Sequence, residues 1–350
     1  MTKLYNKPLF GLDLSTTAVK AVELRRRRRR YCLTSYAVEP LPPQAMTDQM
    51  VTDPDAVASA IARAHKRARI RRKHVATSVA GASVITKKVT IPVALKELEQ
   101  QAQVWMEASH HLPGGIESMH LDYQTLGPDP KEEADQLTAL LVACKREVID
   151  GYRQAIEQAG LKASVIDVDP FAVENAYELG ASPKALDRTV ALLNVGTEIT
   201  NINVLHQGQS LFTRDHYFGG QQLVESLSET YGWGYDQAEQ RLMRGELPEE
   251  AEDQVVAPFL QSLASEVGRS LDFYATTYPE QTVEEAVLSG GGALLKGIID
   301  RMENRLGIKV SLGNPFVGMT LGPEIEEQEL KALAPRLMVA TGLALRSFDA

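Results

Sequence analysis

The chain contains the same apolar pattern twice, about 180 residues apart. In residues 9–24, an apolar run reaches a turn of three hydroxyl residues (residues 15–17) and then returns as an alternating segment. In residues 190–205, a second apolar run reaches a Gly-Thr turn (residues 196–197) and again returns as an alternating segment. Each copy leads into a further predicted strand and a helix, so each half is predicted to contain a β-β-β-α unit. A 350-residue chain with this repeat is expected to form two like α/β lobes.

The first copy carries side chains that suit a phosphate accompanied by a metal ion: Asp13, Ser15, Thr16, Thr17 and Lys20. Hydroxyl and backbone donors hold phosphate oxygens, and a carboxylate orients the water molecules of the metal. A carboxylate near the end of a buried strand is costly unless it is paired. A β-hairpin with a polar turn is the alternative, and this stretch by itself does not decide between the two. Its recurrence at 190–205 favours the phosphate-binding interpretation.

A third element has the apolar strand 286–289 followed by three glycines, Gly290, Gly291 and Gly292, and then a predicted helix. Glycines between a strand and a helix N-terminus permit a ligand to approach the backbone closely. In the order hairpin, hairpin, glycine turn, the three elements predict a polyphosphate held from both sides. The glycine turn then leaves room for a base and a ribose.

Charge is distributed unevenly along the chain, whose net charge is −9. Residues 1–75 contain 16 Lys and Arg against 6 Asp and Glu, whereas the remainder contains 21 against 40. The main basic segments are Arg25–Arg30, at the tip of a predicted hairpin, and residues 63–73. The arginine run is interpreted either as a solvated turn or as a contact with anionic lipid, worth about 1 kcal/mol per basic residue near a membrane surface. Nucleic acid is disfavoured, because no aromatic residues are interleaved with the run.

Targeting features are not evident in the sequence. No apolar stretch approaches the ~20 residues that a membrane-spanning helix needs, and the first eight residues lack the apolar core of a signal peptide. The two cysteines, Cys32 and Cys144, are far apart, which argues against a disulfide scaffold. A cytoplasmic protein is therefore expected.

The rest of the chain gives less specific signals. Residues 82–163 are predicted to form an inserted module of strands and two helices. Asp167 and Asp169 fall on the same side of a predicted strand by the two-residue period. They either hold a metal together or, for Asp169, cap the following helix, which is the interpretation we prefer for that residue. A single closing helix is predicted for residues 330–348.

The combination of two hairpins and a glycine turn resembles the actin-like ATPase superfamily, which includes actin, Hsp70, sugar kinases and FtsA. The resemblance implies an α/β, actin-like (RNase H-like) duplicated fold with two lobes around a nucleotide cleft. It assigns the first phosphate motif to Asp13, Ser15, Thr16, Thr17 and Lys20, with Asp13 holding Mg²⁺ through water. It assigns the second phosphate motif to Asn194, Gly196 and Thr197, and the adenosine motif to Ser289, Gly290, Gly291 and Gly292, with Glu239 on the adenosine helix.

The closer resemblance is to the PilM family of type IV pilus assembly, over nearly the whole chain. It depends on the segments GLDLSTTAVK (11–20), YAVEPLPP (36–43), VITKKV (84–89), IDVDPFAVEN (166–175), FGGQQL (218–223) and LSGGGALLKG (288–297). The middle segments are not general to actin-like folds, so they carry the specificity.

The family implies a division of the chain into three parts. The first lobe comprises residues 1–81 and 164–187, with a closing helix at 330–350 packed against it. Residues 82–163 form an inserted subdomain of the FtsA/PilM type. Residues 188–329 form the second lobe with a nucleotide-base subdomain.

The family also implies an ATP- or ADP-binding scaffold that acts with Mg²⁺ at the cytoplasmic face of the inner membrane. Its implied partner is the N-terminal cytoplasmic tail of PilN, lying between the first lobe and the inserted subdomain, together with other inner-membrane pilus components. The alternatives are a small-molecule kinase of the same superfamily and an FtsA-like membrane-associated filament protein. The closing residues 343–350 follow the fold without a linker, which argues against an FtsA-like tail anchor.

Two departures from the family pattern concern enzymatic activity. The second phosphate motif usually begins with Asp, whereas Asn194 keeps an acceptor oxygen but lacks the charge that orients a metal-bound water. The adenosine helix usually carries Glu and, three residues later, Lys; here Glu239 is kept and Leu242 replaces the Lys. We expect nucleotide binding that is weakened, with slow or absent hydrolysis, and assign no catalytic residue.

Overall fold

The computed structural model describes residues 8–28, 30–110, 112, 115–127 and 135–349. Its strands are β1 (Leu9–Leu14), β2 (Ala18–Arg27), β3 (Arg30–Pro40), β4 (Met46–Thr47), β5 (Met50–Val51), β6 (His74–Val79), β7 (Val84–Pro92), β8 (Met119–Gly127), β9 (Gln136–Lys145), β10 (Lys162–Val168), β11 (Thr189–Val195), β12 (Thr200–His206), β13 (Gln209–His216), β14 (Glu285–Ser289), β15 (Lys309–Leu312) and β16 (Thr320–Leu321). Its α-helices are α1 (Pro54–Arg67), α2 (Glu97–Ser109), α3 (Arg146–Gln158), α4 (Asp169–Gly180), α5 (Pro183–Leu186), α6 (Gly220–Tyr231), α7 (Tyr235–Arg244), α8 (Glu249–Ala251), α9 (Ala257–Thr277), α10 (Ile298–Leu306), α11 (Glu327–Leu333) and α12 (Met338–Leu345). None of the helices in these ranges is both long and apolar enough to cross a membrane.

Two central sheets repeat one topology. The first has the order β10-β6-β1-β2-β3, extended at its edge by β16, and the second has the order β13-β12-β11-β14-β15. In each sheet three antiparallel strands joined by hairpins are followed by two parallel strands, β6 and β10 in the first and β14 and β15 in the second. The duplication predicted from the sequence is therefore confirmed. In both sheets the strands that pair in parallel bring their carboxyl ends to one edge, where ligands of such sheets bind.

Local sequence signals explain why helix α1 begins where it does. Pro54 occupies the first turn, and the Asp53 carboxylate accepts a hydrogen bond from the backbone N–H of Ala56 at 3.0 Å. Val57 and Ile61 then face the sheet and are fully buried, as the helical period requires.

The two lobes share one apolar cluster. Leu9 of β1 and Val173 of α4 pack with Leu192 of β11 and with Leu343 of α12. Helix α12 crosses β1 so closely that a Cβ at Gly11 would lie 1.9 Å from the carbonyl oxygen of Ala340. The closing segment thus packs against the first lobe and lies between the two sheets.

The inserted module contains a separate antiparallel sheet, β7-β9-β8, covered by α2. Helix α3, which the predicted division 82–163 assigned to this module, instead packs in the first lobe. Its buried side chains, Val148, Tyr152 and Ile156, lie in one cluster with residues of β1 and α1. The prediction was wrong for α3, because an amphipathic helix does not by itself reveal which sheet covers its apolar face. We propose that the insert ends near Lys145; the other predicted boundaries stay predictions.

The closing segment is not the single helix that the sequence predicted for 330–348. It is divided into α11, a 3₁₀ turn at Ala334–Leu337, and α12, with a second 3₁₀ turn at Arg346–Phe348. Pro335 lies in the first turn and has no N–H for a helical hydrogen bond. Its carbonyl oxygen accepts from the backbone N–H of Gly290 at 2.9 Å, which ties the break to the second lobe.

Candidate functional site

The first hairpin, β1–β2, places a buried ion pair behind its turn. Asp13 and Lys20 are opposite each other in the strand register, and Lys20 Nζ lies 2.7 Å from Asp13 Oδ2 and 3.2 Å from Ser15 Oγ. Ser15 closes the turn, because its N–H and its hydroxyl both donate to the carbonyl of Ala18. The Asp13 charge is therefore compensated within the protein, as a buried carboxylate requires, and Lys20 is already engaged.

The second hairpin, β11–β12, has the same shape without an ion pair. Asn194 and Asn201 are opposite each other in the register, and the turn closes with a 2.9 Å hydrogen bond from the Gly196 N–H to the Ile199 carbonyl. The Ser289 hydroxyl donates to Asn194 Oδ1 at 3.2 Å. The second hairpin thus offers hydroxyl and amide groups to a ligand, with no carboxylate at the position of Asn194.

The two hairpin turns face each other across a cleft. The hydroxyl oxygens of Thr17 and Thr197 lie 3.4 Å apart. Beside them, the carboxylate of Glu198 accepts from the backbone N–H of Asp48 and from Gln49 Nε2, each at 3.2 Å. These contacts join the lobes at the mouth of the cleft.

The glycine turn after β14 forms another side of the cleft. Gly290 has a φ of 85°, and a Cβ there would lie 2.3 Å from the carbonyl oxygen of Val195. At Gly291 a Cβ would meet no heavy atom within 4 Å, so the open space lies beside this residue. Gly292 is buried, and its Cβ would lie 2.3 Å from Val195 Cγ1. Gly290 and Gly291 therefore face the cleft, whereas Gly292 allows the turn to pack on β11.

The cleft has a cavity volume of about 80 Å³. Ten of the twelve predicted nucleotide-binding residues line it: Asp13, Ser15, Thr16, Thr17, Lys20, Asn194, Gly196, Thr197, Gly290 and Gly291. Gly292 and Glu239 are not among the lining residues. Glu239 is half-buried on α7, where burial raises the pKa of its carboxyl group with a smaller contribution from Asp236. Its predicted contact with a nucleotide stays a prediction.

Asp169 lines the cleft and was missed as a site residue. It is the first residue of α4, whose N-cap is Val168, and the Ser78 hydroxyl donates to its carboxylate at 2.5 Å. The preferred interpretation of Asp169 as a helix cap was therefore wrong. Burial, with repulsion from Asp13, raises the pKa of Asp169 to about 7. Its position at the carboxyl end of a parallel strand, β10, is the sequence signal that could have identified it as a site residue.

Asp167 and Asp169 have different partners: Asp167 Oδ2 lies 2.6 Å from Arg346 Nε of the closing segment, whereas the Asp169 carboxylate accepts from Ser78. The alternative in which the two share a metal stays a prediction. Nowhere in the described ranges do three or more His, Cys, Asp or Glu side chains form a group suited to a metal ion.

Four further polar residues that sequence reasoning missed also line the cleft: Gln49, Asn201, Asp215 and Arg336. Asn201 donates to the Asp215 carboxylate at 2.5 Å, and burial raises the pKa of Asp215. Arg336 comes from the 3₁₀ turn before α12. No local pattern marks these residues, because they reach the cleft only through long-range packing.

Comparisons with known proteins agree with this architecture. A family model described as type IV pilus assembly protein PilM matches residues 11–348. A solved PilM–PilN type IV pilus biogenesis complex contains a chain that is 27% identical, with a TM-score of 0.86, covering 99% of this chain and 100% of that chain. Ethanolamine utilization protein EutJ from Carboxydothermus hydrogenoformans is 16% identical, with a TM-score of 0.54 and coverage of 97% and 89%; this likeness concerns the fold alone.

These matches confirm the predicted actin-like α/β fold, in which two duplicated lobes enclose a cleft. The family match extends over nearly the entire chain, including both hairpins, the insert and the glycine turn. The protein therefore belongs to the type IV pilus assembly protein PilM family.

Proposed function

We propose that this chain is an actin-like, nucleotide-binding scaffold of the inner-membrane assembly complex of type IV pili. The observation that carries the proposal is the cleft between the lobes, where two hydroxyl-bearing hairpins meet and a glycine turn leaves open space. The relative in the PilM–PilN complex covers the whole chain, which supports the N-terminal cytoplasmic tail of PilN as the docked partner.

The residues around the cleft fit ATP or ADP. Hydroxyl groups of Thr16 and Thr17 on one lobe and of Thr197 on the other supply donors for phosphate oxygens. Gly291 leaves space for close approach of the ligand. Mg²⁺ bound with the nucleotide would neutralise phosphate charge, and Asp13 would hold it through a water molecule.

Hydrolysis in this cleft is proposed to be slow or absent. Asn194 provides a neutral amide, whose oxygen already accepts from Ser289, and Leu242 packs against the apolar core of the second lobe. Asp169 is a carboxyl group of the cleft that can accept a proton near neutral pH, since its pKa is about 7. This observation gives the kinase alternative some support, although the family match favours the scaffold.

A titration with mant-ATP and mant-ADP in the presence of MgCl₂, combined with a phosphate-release assay, tests both statements. We expect saturable binding of both nucleotides and little phosphate release. Turnover comparable to that of an ordinary ATPase, abolished in Asp13→Ala, would contradict the proposal of a slow enzyme. Circular dichroism of Asp13→Ala serves as the folding control, because this substitution leaves Lys20 unpaired.

A peptide experiment separates the scaffold from its alternatives. We expect a synthetic peptide with the N-terminal sequence of PilN to bind the full chain in a fluorescence-anisotropy titration, and a scrambled peptide not to bind. The proposed binding region is the junction of the first lobe with the inserted sheet β7-β9-β8. Neither a small-molecule kinase nor an FtsA-like filament protein requires this binding, so its absence would contradict the scaffold proposal.

We also propose that the protein lies at the cytoplasmic face of the inner membrane, with one end of the first lobe toward anionic lipid. The tip of the β2–β3 hairpin exposes Arg25, Arg26, Arg27, Arg28 and Arg30; Arg29, the remaining member of the six-arginine run, lies outside the described residues. The strand register brings a second basic segment to the same sheet end. Leu9 pairs with His74 in parallel, and Lys162 also pairs with His74, so the loop before β6 lies beside the arginine hairpin.

Part of this basic sheet end is neutralised within the protein. Arg72 Nε lies 3.1 Å from a Glu23 carboxylate oxygen, and Arg69 is paired with Glu324 at 2.6 Å. Arg71, Lys73 and Lys162 are exposed, and their side chains form no ion pair with the described residues. The exposed charge therefore comes from three distant segments of sequence, on the end of the sheet away from the cleft.

Vesicle sedimentation tests this membrane contact. We expect stronger binding to vesicles of phosphatidylcholine with phosphatidylglycerol than to phosphatidylcholine alone, and weaker binding at 0.5 M than at 0.1 M NaCl, since salt screens exposed charges. Changing the six arginines 25–30 to serine, or Arg71 and Lys73 together, should reduce binding. Arg244→Ser/Arg301→Ser, which removes two exposed arginines elsewhere, is the matched control. Binding that is unchanged in both basic-end variants would contradict the proposal.

A further inference from the structure

Arg336 lies at the junction of the two lobes, on the wall of the cleft. The preceding residue, Pro335, is held by the Gly290 N–H of the second lobe at 2.9 Å. The following helix, α12, packs against β1 and α4 of the first lobe. Arg336 therefore stands between the glycine turn and the Asp13 hairpin, and both border the same cleft.

The guanidinium group of Arg336 has no partner among the residues that the structure describes. Its Nε is completely buried and makes no hydrogen bond, and no ion pair joins its side chain to any described carboxylate. Burial lowers the pKa of Arg336, with an opposing contribution from Asp13, but an arginine remains charged at any physiological pH. The cleft thus contains a partly buried cation without a counterion, which is unfavourable unless an anion binds there.

The carboxylates of the cleft do not supply that anion. Asp13 is paired with Lys20, Asp169 accepts from Ser78, and Asp215 accepts from Asn201. Lys20 and Arg336 are the two cationic side chains among the described residues that line the cleft. Since Lys20 is engaged by Asp13, Arg336 is the cation left to interact with a ligand.

We propose that Arg336 binds a phosphate group of the nucleotide in the cleft, on the side of the glycine turn. The proposal rests on the nucleotide-binding function proposed above and adds a specific binding residue to it. A guanidinium group matches phosphate geometry with two parallel N–H donors. Because Arg336 follows Pro335, whose carbonyl accepts from Gly290 in the cleft wall, it binds a phosphate that ATP and ADP have in common, rather than the γ-phosphate.

The test compares Arg336→Met and Arg336→Lys with the wild-type chain in mant-ATP and mant-ADP titrations. A charge-assisted hydrogen bond contributes about 1.5–3 kcal/mol, so Arg336→Met should weaken both nucleotides by about the same factor, roughly 10- to 100-fold. Arg336→Lys should restore part of the affinity, since it keeps the charge without the planar fork. Arg301→Met, which removes an exposed arginine outside the cleft, is the control and should bind like the wild type.

Thermal unfolding without nucleotide separates binding from a merely structural role. Because Arg336→Met removes an unpaired buried charge, the melting temperature of its apo form should be unchanged or raised. The rise in melting temperature on adding ADP should be smaller than in the wild type. A wild type that binds nucleotide, with unchanged affinity in Arg336→Met, would overturn the role of Arg336 and leave the proposed function standing. The role of Arg336 would also be overturned, with the proposed function left standing, if apo Arg336→Met melts at a lower temperature than the wild type and ADP raises its melting temperature by as much as it raises that of the wild type. A wild type that binds neither nucleotide would overturn both proposals.

Discussion

The glycine turn offers a paired prediction, because two adjacent glycines have opposite surroundings. At Gly290 the backbone φ is 85°, a conformation that costs a residue with a side chain about 1–2 kcal/mol. Its Cβ would also lie 2.3 Å from the Val195 carbonyl oxygen and 2.8 Å from Asn194 Oδ1. Relief of such overpacking typically costs about 1–3 kcal/mol more. We therefore expect Gly290→Ala to lower the free energy of unfolding by about 2–5 kcal/mol in total.

Gly291→Ala is the matched substitution. The backbone of Gly291 is helical, with a φ of −66°, and a Cβ there would meet no protein atom within 4 Å. Its stability should equal that of the wild type or exceed it by about 0.4–1 kcal/mol, because alanine restricts the unfolded chain. However, Gly291 lines the cleft, so the added methyl group should weaken a nucleotide that approaches the turn.

Urea denaturation followed by circular dichroism measures the stabilities, and mant-ADP titration measures the affinities. The expected pattern is a destabilised Gly290→Ala and a stable Gly291→Ala with reduced affinity. If Gly290→Ala is as stable as the wild type, the steric reasoning is refuted. If Gly291→Ala binds mant-ADP with full affinity, the nucleotide does not approach this turn.

Two further predictions concern buried charges of the cleft. Lys20→Met should lower the free energy of unfolding by about 3–5 kcal/mol, because it leaves the buried Asp13 carboxylate unpaired. The double variant Lys20→Met/Asp13→Leu should regain most of this loss. If urea denaturation shows equal losses for the single and the double variant, the prediction is contradicted. Asp169 has its pKa raised from 3.8 to about 7, so the native state retains a proton that the unfolded chain releases, and stability falls as pH rises between these values. Asp169→Asn stays neutral, and its melting temperature should therefore exceed that of the wild type by more at pH 8 than at pH 5. A difference in melting temperature between the two proteins that does not depend on pH would refute the raised pKa.

The two hairpins and the glycine turn were predictable because their signals are local. Buried strands such as 9–14 and 190–195 are continuous apolar runs, and the hydroxyl or glycine residues that follow them end the strands. Once the pattern recurred, the duplicated fold followed, and ten of the predicted residues line the cleft. Glu239 and Gly292 do not, since a motif does not specify which side of an element faces a cavity.

Other features depend on contacts between distant segments. The amphipathic pattern of α3 does not specify whether its apolar face packs on the insert or on the first lobe, and the structure places that face in one cluster with residues of β1 and α1. Asp169 looked like a helix cap in sequence, but Ser78 of the adjacent strand β6 holds its carboxylate instead.

The sequence by itself determined the repeated unit, the strands that form it and most side chains of the cleft, since these follow from hydrophobic period and turn chemistry over fewer than about 20 residues. Only the tertiary structure decided how their charges are used. It paired Lys20 with Asp13, brought two basic segments to one sheet end, and placed Arg336 in the cleft without a partner. Electrostatic interactions depend on distance and burial in space, and neither quantity can be read from the order of residues along the chain.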